Sequence, residues 1–168
     1  MSRKYNLPER LAIIGYRLYS PLLQTYWKLF RPYTFGTRLL IYHPENKDRV
    51  LLIRHTYGDT EAWNMPGGGF KPKSEARETA TRREAFEEVG IRVGEITLLT
   101  EYKSEREAKR DTVYIYTGSA LETNIILESE IAEARWFPLS EINQLKPAHA
   151  LKVLLEELAT SKVLDASQ

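Results

Sequence analysis

Apolar residues recur at every third or fourth position near the start of the chain: Leu7, Leu11, Ile14, Leu18 and Leu22. That period lines one face of a helix. Ser20-Pro21 interrupts it, because serine caps helices and proline suits a first helical position. The pattern predicts two short helices, over 8–19 and 21–30, ended by "RPYTFG". Short apolar runs come next. "TRLLIYH" (37–43) and "RVLLIRH" (49–55) read as strands joined by the polar turn "PENKD". "TYGDTEAW" reads as a loop, and "NMPGGGF" as a glycine-rich stretch reached from a short strand. Residues 75–89 read as a helix. "EITLLTEY" (95–102), "TVYIYTGSA" (112–120) and "ARWFPL" (134–139) read as strands. Ser140 is placed to cap a helical turn at 141–145, and "PAHALKVLLEELA" (147–159) is an amphipathic helix with Pro147 near its start. This order predicts an α/β fold: an α/β/α sandwich around one mixed sheet, with an additional N-terminal helical segment. The expected organisation is a helical extension over 1–35, one α/β domain over 36–162 and a tail over 163–168.

Composition narrows the partners. A chain of 168 residues suits one domain with a proper core. The net charge of +1 offers no global field for nucleic acid, so no DNA partner is expected. The absence of cysteine excludes disulfides, thiolate metal sites and cysteine nucleophiles, and fits a cytoplasmic location. "LAIIGY" is cut short by Arg17 with no cleavage site after it, so no signal peptide is expected. Charge is unevenly spread, however. Residues 1–38 carry Arg3, Lys4, Arg10, Arg17, Lys28, Arg31 and Arg38 against Glu9 alone, interleaved with Tyr5, Tyr16, Tyr19, Tyr26, Trp27 and Phe30. Such a segment suits contact with an anionic membrane surface or, alternatively, packing on the domain or a homodimer through the N-terminal helices. The second is favoured, because the basic residues are not confined to one helix face.

The chemistry concentrates in "REAFEEVG", Arg83 to Gly90. At 100° per residue Glu84, Glu87 and Glu88 share an arc of about 100°. Ala85, Phe86 and Val89 are expected on the other side, against the sheet. Gly90 suits the left-handed residue that ends a helix. Like charges four residues apart repel, and anions are disfavoured at a helix C-terminus. A hard divalent cation, whose preferred ligands are carboxylate oxygens, would make sense of the arrangement.

The wider spacing is specific. From Gly69 the chain runs through Glu75, Arg83-Glu84-Ala85 and Glu87-Glu88 to Gly90-Ile91. This resembles the Nudix box, G-x5-E-x7-R-E-U-x-E-E-x-G-U with U apolar, at every specified position. The resemblance implies an α/β/α sandwich and a hydrolase that uses Mg²⁺ or Mn²⁺ to break a phosphoanhydride bond in a nucleoside diphosphate linked to another group. It implies that Glu84, Glu87 and Glu88 are metal ligands, joined by the main-chain carbonyl of Gly68. It also implies that Arg83 orients Glu84, with Glu75 supporting Arg83, and that Gly69 and Gly90 shape the site. The general base in this family often comes from a loop before a tryptophan-containing strand. Among Glu128, Glu130 and Glu133, spacing to Trp136 selects Glu130. Arg54, Tyr57, Trp63 and Trp136 are candidates for substrate contact, by charge or by stacking. The alternative within the family is a catalytically silent nucleotide-binding or sensing domain. Such domains usually lose box glutamates, and this chain keeps them all.

The substrate is left open. The first proline after Ile91 is Pro138, and residues 107–110 read "EAKR". The chain therefore lacks the proline and tyrosine that often mark ADP-ribose and diadenosine polyphosphate hydrolases. The corresponding NADH and coenzyme A motifs are absent too. An isopentenyl diphosphate isomerase would need a catalytic cysteine.

Overall fold

The computed structural model describes residues 22 and 25–165. The helix expected over 8–19, and with it most of the extension assigned to dimer or membrane contact, lies outside the described residues. Where it is described, the second expected helix is present, as α1 (25–30).

The elements then run β1 (Tyr33–Tyr42), β2 (Arg49–His55), β3 (Gly69–Phe70), α2 (Arg77–Val89), β4 (Val93–Ser104), β5 (Arg110–Ala120), β6 (Ile131–Pro138), a 3₁₀ turn (Leu139–Gln144) and α3 (His149–Asp165). The strands form one mixed sheet in the order β4-β5-β1-β2-β6. β1 and β5 are parallel along their whole length, from Tyr33↔Arg110 to Tyr42↔Ser119. That pairing is why β1 starts four residues before the apolar run that announces it. The other pairs are antiparallel. Among the described residues no helix is long and apolar enough to cross a membrane.

Two cores result, one on each face of the sheet, because successive strand residues point to opposite faces. Leu39, Ile41, Leu51, Ile53 and Tyr116 pack against Ala85 and Val89 of α2. Leu40, Val50, Leu52, Ile115 and Phe137 pack against Ala150, Leu151 and Leu154 of α3. The expected α/β/α sandwich is therefore the observed one.

One feature of the sheet creates the site. β1 pairs with β2 only at Ile41↔Leu51 and Tyr42↔Val50. Beyond that the two strands splay, and residues 63–70 thread the opening. Asn64 pairs with Ile53 of β2. The Pro66 and Gly68 carbonyls accept from the Leu39 and Thr37 amides of β1, at 2.8 and 2.9 Å. β3 completes the seam by pairing with Phe35 and Gly36. The loop's backbone groups are thus satisfied while its glycines are held beside α2.

Two local expectations need correction. Phe86 does not pack on the sheet: it is 52% exposed. The buried face of α2 is Ala80, Thr81, Ala85, Glu88 and Val89. At 100° per residue Phe86 falls about 60° beyond Val89, whereas Glu88 falls between Ala80 and Ala85. The glutamates therefore do not share a solvated face. Ser140 caps nothing: the turn after β6 begins at Leu139, behind Pro138, with no side-chain cap.

Candidate active site

The loop 63–70 supplies the first part. Gly67 has φ of 141°, and a Cβ there would lie 2.2 Å from the Thr37 carbonyl oxygen. At Gly68 a Cβ would lie 2.1 Å from Oε2 of Glu84. Only glycine lets the backbone run this close to both β1 and α2. The Gly67 N–H donates to Oε2 of Glu88 at 2.7 Å. The Gly67 carbonyl accepts from Nη1 of Arg38.

α2 supplies the second part. Arg83 grips Glu75 with two hydrogen bonds, Nε to Oε1 at 2.9 Å and Nη2 to Oε2 at 3.0 Å. Its Nη1 donates to Glu84 at 2.7 Å and to Glu87 at 2.8 Å. One guanidinium therefore neutralises much of the repulsion written into the sequence. It holds the Glu75 carboxyl below the usual carboxylate range. Glu88 sits apart from this network and is 3% exposed. Burial pushes its carboxyl up to about 8, against the opposing pull of Arg38 and the Gly67 amide; Glu130 and Glu84 add to the rise.

The chain between β5 and β6 supplies the third part. Gly90 closes α2 in the left-handed conformation, with φ 69° and its N–H on the Phe86 carbonyl. The chain later returns to cap the same end. The Ile126 N–H donates to the Val89 carbonyl at 2.9 Å, and the Glu128 N–H to the Glu88 carbonyl at 3.1 Å. Helix C-terminal carbonyls lack intrahelical partners, so these bonds fasten the loop to the helix. Glu130 arrives as a consequence. Its carbonyl accepts from the Thr56 N–H at 2.8 Å, and its carboxyl is raised by burial first and by Glu84 next, with Tyr57 opposing. Glu133 instead pairs with Arg54 and Arg135, both at 2.5 Å.

The structure thus brings together Glu75, Arg83, Glu84, Glu87, Glu88, Gly68 and Glu130. The substrate-contact candidates are more scattered. The Tyr57 hydroxyl lies 3.5 Å from Glu130, at the edge of the cluster. Trp63 is a core residue, 8% exposed, edge-on to Phe137 and covered by Arg54. Arg54 is also paired with Glu133 and Glu61. Trp136 packs against the α2-side core with its edge to His43. Its Nε1 is buried without a hydrogen-bond partner among the described residues.

Two residues at the site carry no functional signal in the sequence pattern. His55 is lowered to about 4, by burial first and then by Arg38. Arg38 faces both His55 and Glu88. Its one available signal is a lone charge inside the strand run "TRLLIY".

The donor set fits a hard divalent cation. Oε2 of Glu84 lies against Gly68 and points away from Arg83, which holds Oε1. Glu88 is a carboxyl in a site that disfavours its charge, as expected where a cation would restore it. Among the described residues no three acidic or histidine side chains already converge as a finished cage. Arg83 is instead the counter-ion of Glu84 and Glu87.

This geometry has relatives. Residues 33–158 match the family model for the NUDIX domain. The chain therefore belongs to the Nudix family, hydrolases that act on pyrophosphate bonds and generally use divalent metals. It is 31% identical over 119 residues to diphosphoinositol polyphosphate phosphohydrolase 3-beta of Bos taurus, covering 66% of this chain and 70% of that one. It is 28% identical over 128 residues to the NAD-capped RNA hydrolase NudC of Deinococcus radiodurans, covering 68% of this chain but only 45% of that protein. The fold matches the Nudix domain of Shewanella oneidensis NrtR, solved with ADP-ribose, at a TM-score of 0.66 and 18% identity, over 80% of this chain and 91% of that one.

Proposed function

We propose that this chain hydrolyses a phosphoanhydride bond in a nucleoside diphosphate linked to another group, with Mg²⁺ or Mn²⁺ as cofactor. The observation that carries the reading is Glu88: a carboxyl 3% exposed, fixed by the Gly67 amide beside Glu84 and Glu130. Burying an acid among acids is costly unless a cation completes the group. Glu84, Glu87, Glu88 and the Gly68 carbonyl are the proposed ligands. Bound there, the metal would neutralise the diphosphate and acidify a water.

The chain's own groups do the rest. Arg83, clamped by Glu75, fixes the rotamer of Glu84 and restrains Glu87. Glu130 is the proposed base. Its raised proton affinity suits a group that must take a proton from water near neutral pH. The tether between 126–128 and the end of α2 keeps that base at a fixed distance from the ligands. Tyr57 borders the cluster and remains a proposed substrate contact, whereas Trp136 packs on the core beside His43. Trp63 is buried in the core and Arg54 is ion-paired with Glu133 and Glu61, so neither is kept as a substrate contact. Phosphoryl transfer asks mainly for positioning and charge neutralisation, which this arrangement supplies.

The test is a hydrolysis screen with Mg²⁺ and with Mn²⁺. It covers dNTPs, dinucleotides, ADP-ribose, nucleotide sugars and a diphosphoinositol polyphosphate. Metal-dependent release of a phosphate-containing product from a nucleoside diphosphate derivative, lost in Glu88→Gln, is the expected result. Turnover of the diphosphoinositol polyphosphate alone would overturn the nucleotide reading. Nucleotide binding without turnover would favour a silent sensing domain.

A further inference from the structure

We propose that Arg38 is a positioning residue of the active site: acting through Gly67, it fixes both the Glu88 carboxylate and the path of the glycine loop. The inference rests on the proposed function for its kinetic consequence and on geometry alone for its structural one.

Arg38 lies outside the Nudix box and on the opposite face of β1 from α2. Its neighbours Leu39 and Leu40 are core residues, 0% and 4% exposed. Its hydrogen bonds among the described residues all go to backbone carbonyls: Nη1 donates to Thr37 at 3.0 Å and to Gly67. Its Nε is buried with no partner among those residues. A guanidinium hydrogen-bonded only to carbonyls is an expensive way to stabilise a fold, since no carboxylate bonds it directly and Glu88 acts on it only through its charge. It is an effective way to orient a peptide, because the hydrogen bond is charge-assisted and the donor is rigid.

The peptide it orients needs such a hold. Gly67, at φ of 141°, sits in a region that only glycine tolerates. Two bonds meet there from opposite sides of the seam, Arg38 on its carbonyl and Glu88 on its amide. Thr37, next to Arg38, holds the Gly68 carbonyl in turn. The dipeptide Thr37-Arg38 thus sets the dipeptide Gly67-Gly68, and through it the buried carboxylate. Without Arg38 the 67–68 peptide plane is free to turn, and Glu88 loses a fixed amide donor as well as the direct pull of the guanidinium.

The test compares Arg38→Met and Arg38→Lys with the wild type by two readouts. The first is amide hydrogen exchange on metal-free, substrate-free protein. Faster exchange is expected in the peptide spanning 64–70 of Arg38→Met, with α3 unchanged. The second is kinetics with the best substrate of the screen. An approximately 10- to 100-fold fall in kcat is expected with KM little changed, the size seen when a group supporting metal ligands is removed. Arg38→Lys keeps the charge and one donor, and should recover part of both effects; it also serves if Arg38→Met does not fold. Unchanged exchange over 64–70 would overturn the proposal. So would a loss confined to KM, which would make Arg38 a substrate contact. An inactive wild type would sink the proposed function alone, because the exchange experiment reads the loop without turnover.

Discussion

Glu75 accepts two parallel hydrogen bonds from Arg83, eight residues further along the chain, at 2.9 and 3.0 Å. This fork–fork pair fixes the plane of the guanidinium, so that Nη1 presents one donor edge to Glu84 and Glu87 together. Lysine in place of Arg83 would keep the charge and lose the plane. Arg83→Lys is therefore expected to cut kcat about 10- to 100-fold. It should cost only about 1 kcal/mol of stability, since the side chain is more than a third exposed and its ion pairs are screened. Steady-state kinetics and a thermal melt on the same protein check both halves.

Glu88→Gln keeps an acceptor for the Gly67 amide and removes the charge. Hydrolysis should fall at least about 100-fold, the scale of losing a group acting directly in the chemistry. The metal-free protein should be no less stable, because the substitution removes a buried carboxylate. Full turnover in this variant would end the metal-ligand assignment.

The same carboxyl makes a pH prediction. Its folded value is raised to about 8 from an ordinary 4.5. Between these values the folded state holds a proton that the unfolded state has released. Its contribution to stability is complete below 4.5 and is lost as pH rises through 8. His55, lowered to about 4 from 6.5, works in the other direction and only below its unfolded value. From pH 6.5 to 8 the Glu88 contribution is therefore isolated from that of His55. Melts in chelator should show stability falling by up to about 1.4 kcal/mol per pH unit. Glu88→Gln should flatten that slope, and so should saturating Mg²⁺, which favours the charged form. A chelated wild type whose stability is level across this window would contradict the buried-acid account.

The two glycines of the loop should respond differently to alanine. At Gly67 the added Cβ meets backbone, in a conformation that L side chains rarely adopt. A loss of about 3 kcal/mol is expected. At Gly68 it meets a side-chain end, the Glu84 carboxylate, which can yield by giving up its bond to Arg83, so a loss nearer about 1 kcal/mol is expected. Activity should vanish with the smaller perturbation as well as with the larger. Denaturant titrations compared with specific activity separate the two cases.

Glu130→Gln tests the base. A fall in kcat of about 100-fold or more is expected, with little change in melting temperature, because the backbone bond from Thr56 that seats the residue is untouched. A small effect, with the large one appearing at Glu133 or Glu128, would reassign the role.

Much of this was legible in the sequence where the governing interactions are local. The strands, helix α2, its glycine stop and the spacing that links Glu75 to Arg83 all depend on residues near one another in the chain. Several features were not. Glu88 is named as a metal ligand by the spacing of the box, but its burial is not legible until the loop that covers it is known, and Phe86 reads as core for the same reason. Trp63 is a candidate for stacking or for the core on sequence alone, and the partners that decide for the core, Phe137 and Pro147, are far along the chain. Arg38 looks like an ordinary strand charge, since its target carbonyl is 29 residues away. In each case a distant segment decides the environment, and periodicity carries no information about distant segments.

The two amide bonds from Ile126 and Glu128 to the end of α2 divide the loop after β5 into two parts that are anchored differently. Residues 121–125 lie before the tether, held instead by the Leu121 amide on the Arg92 carbonyl and by Glu122 on Arg92. Residues 126–130 lie at or after it, where a single added residue would carry the proposed base out of register with the glutamates. The first part of the loop is therefore positioned by the start of β4, while the second takes its position from α2 and keeps the proposed base in register with the glutamates.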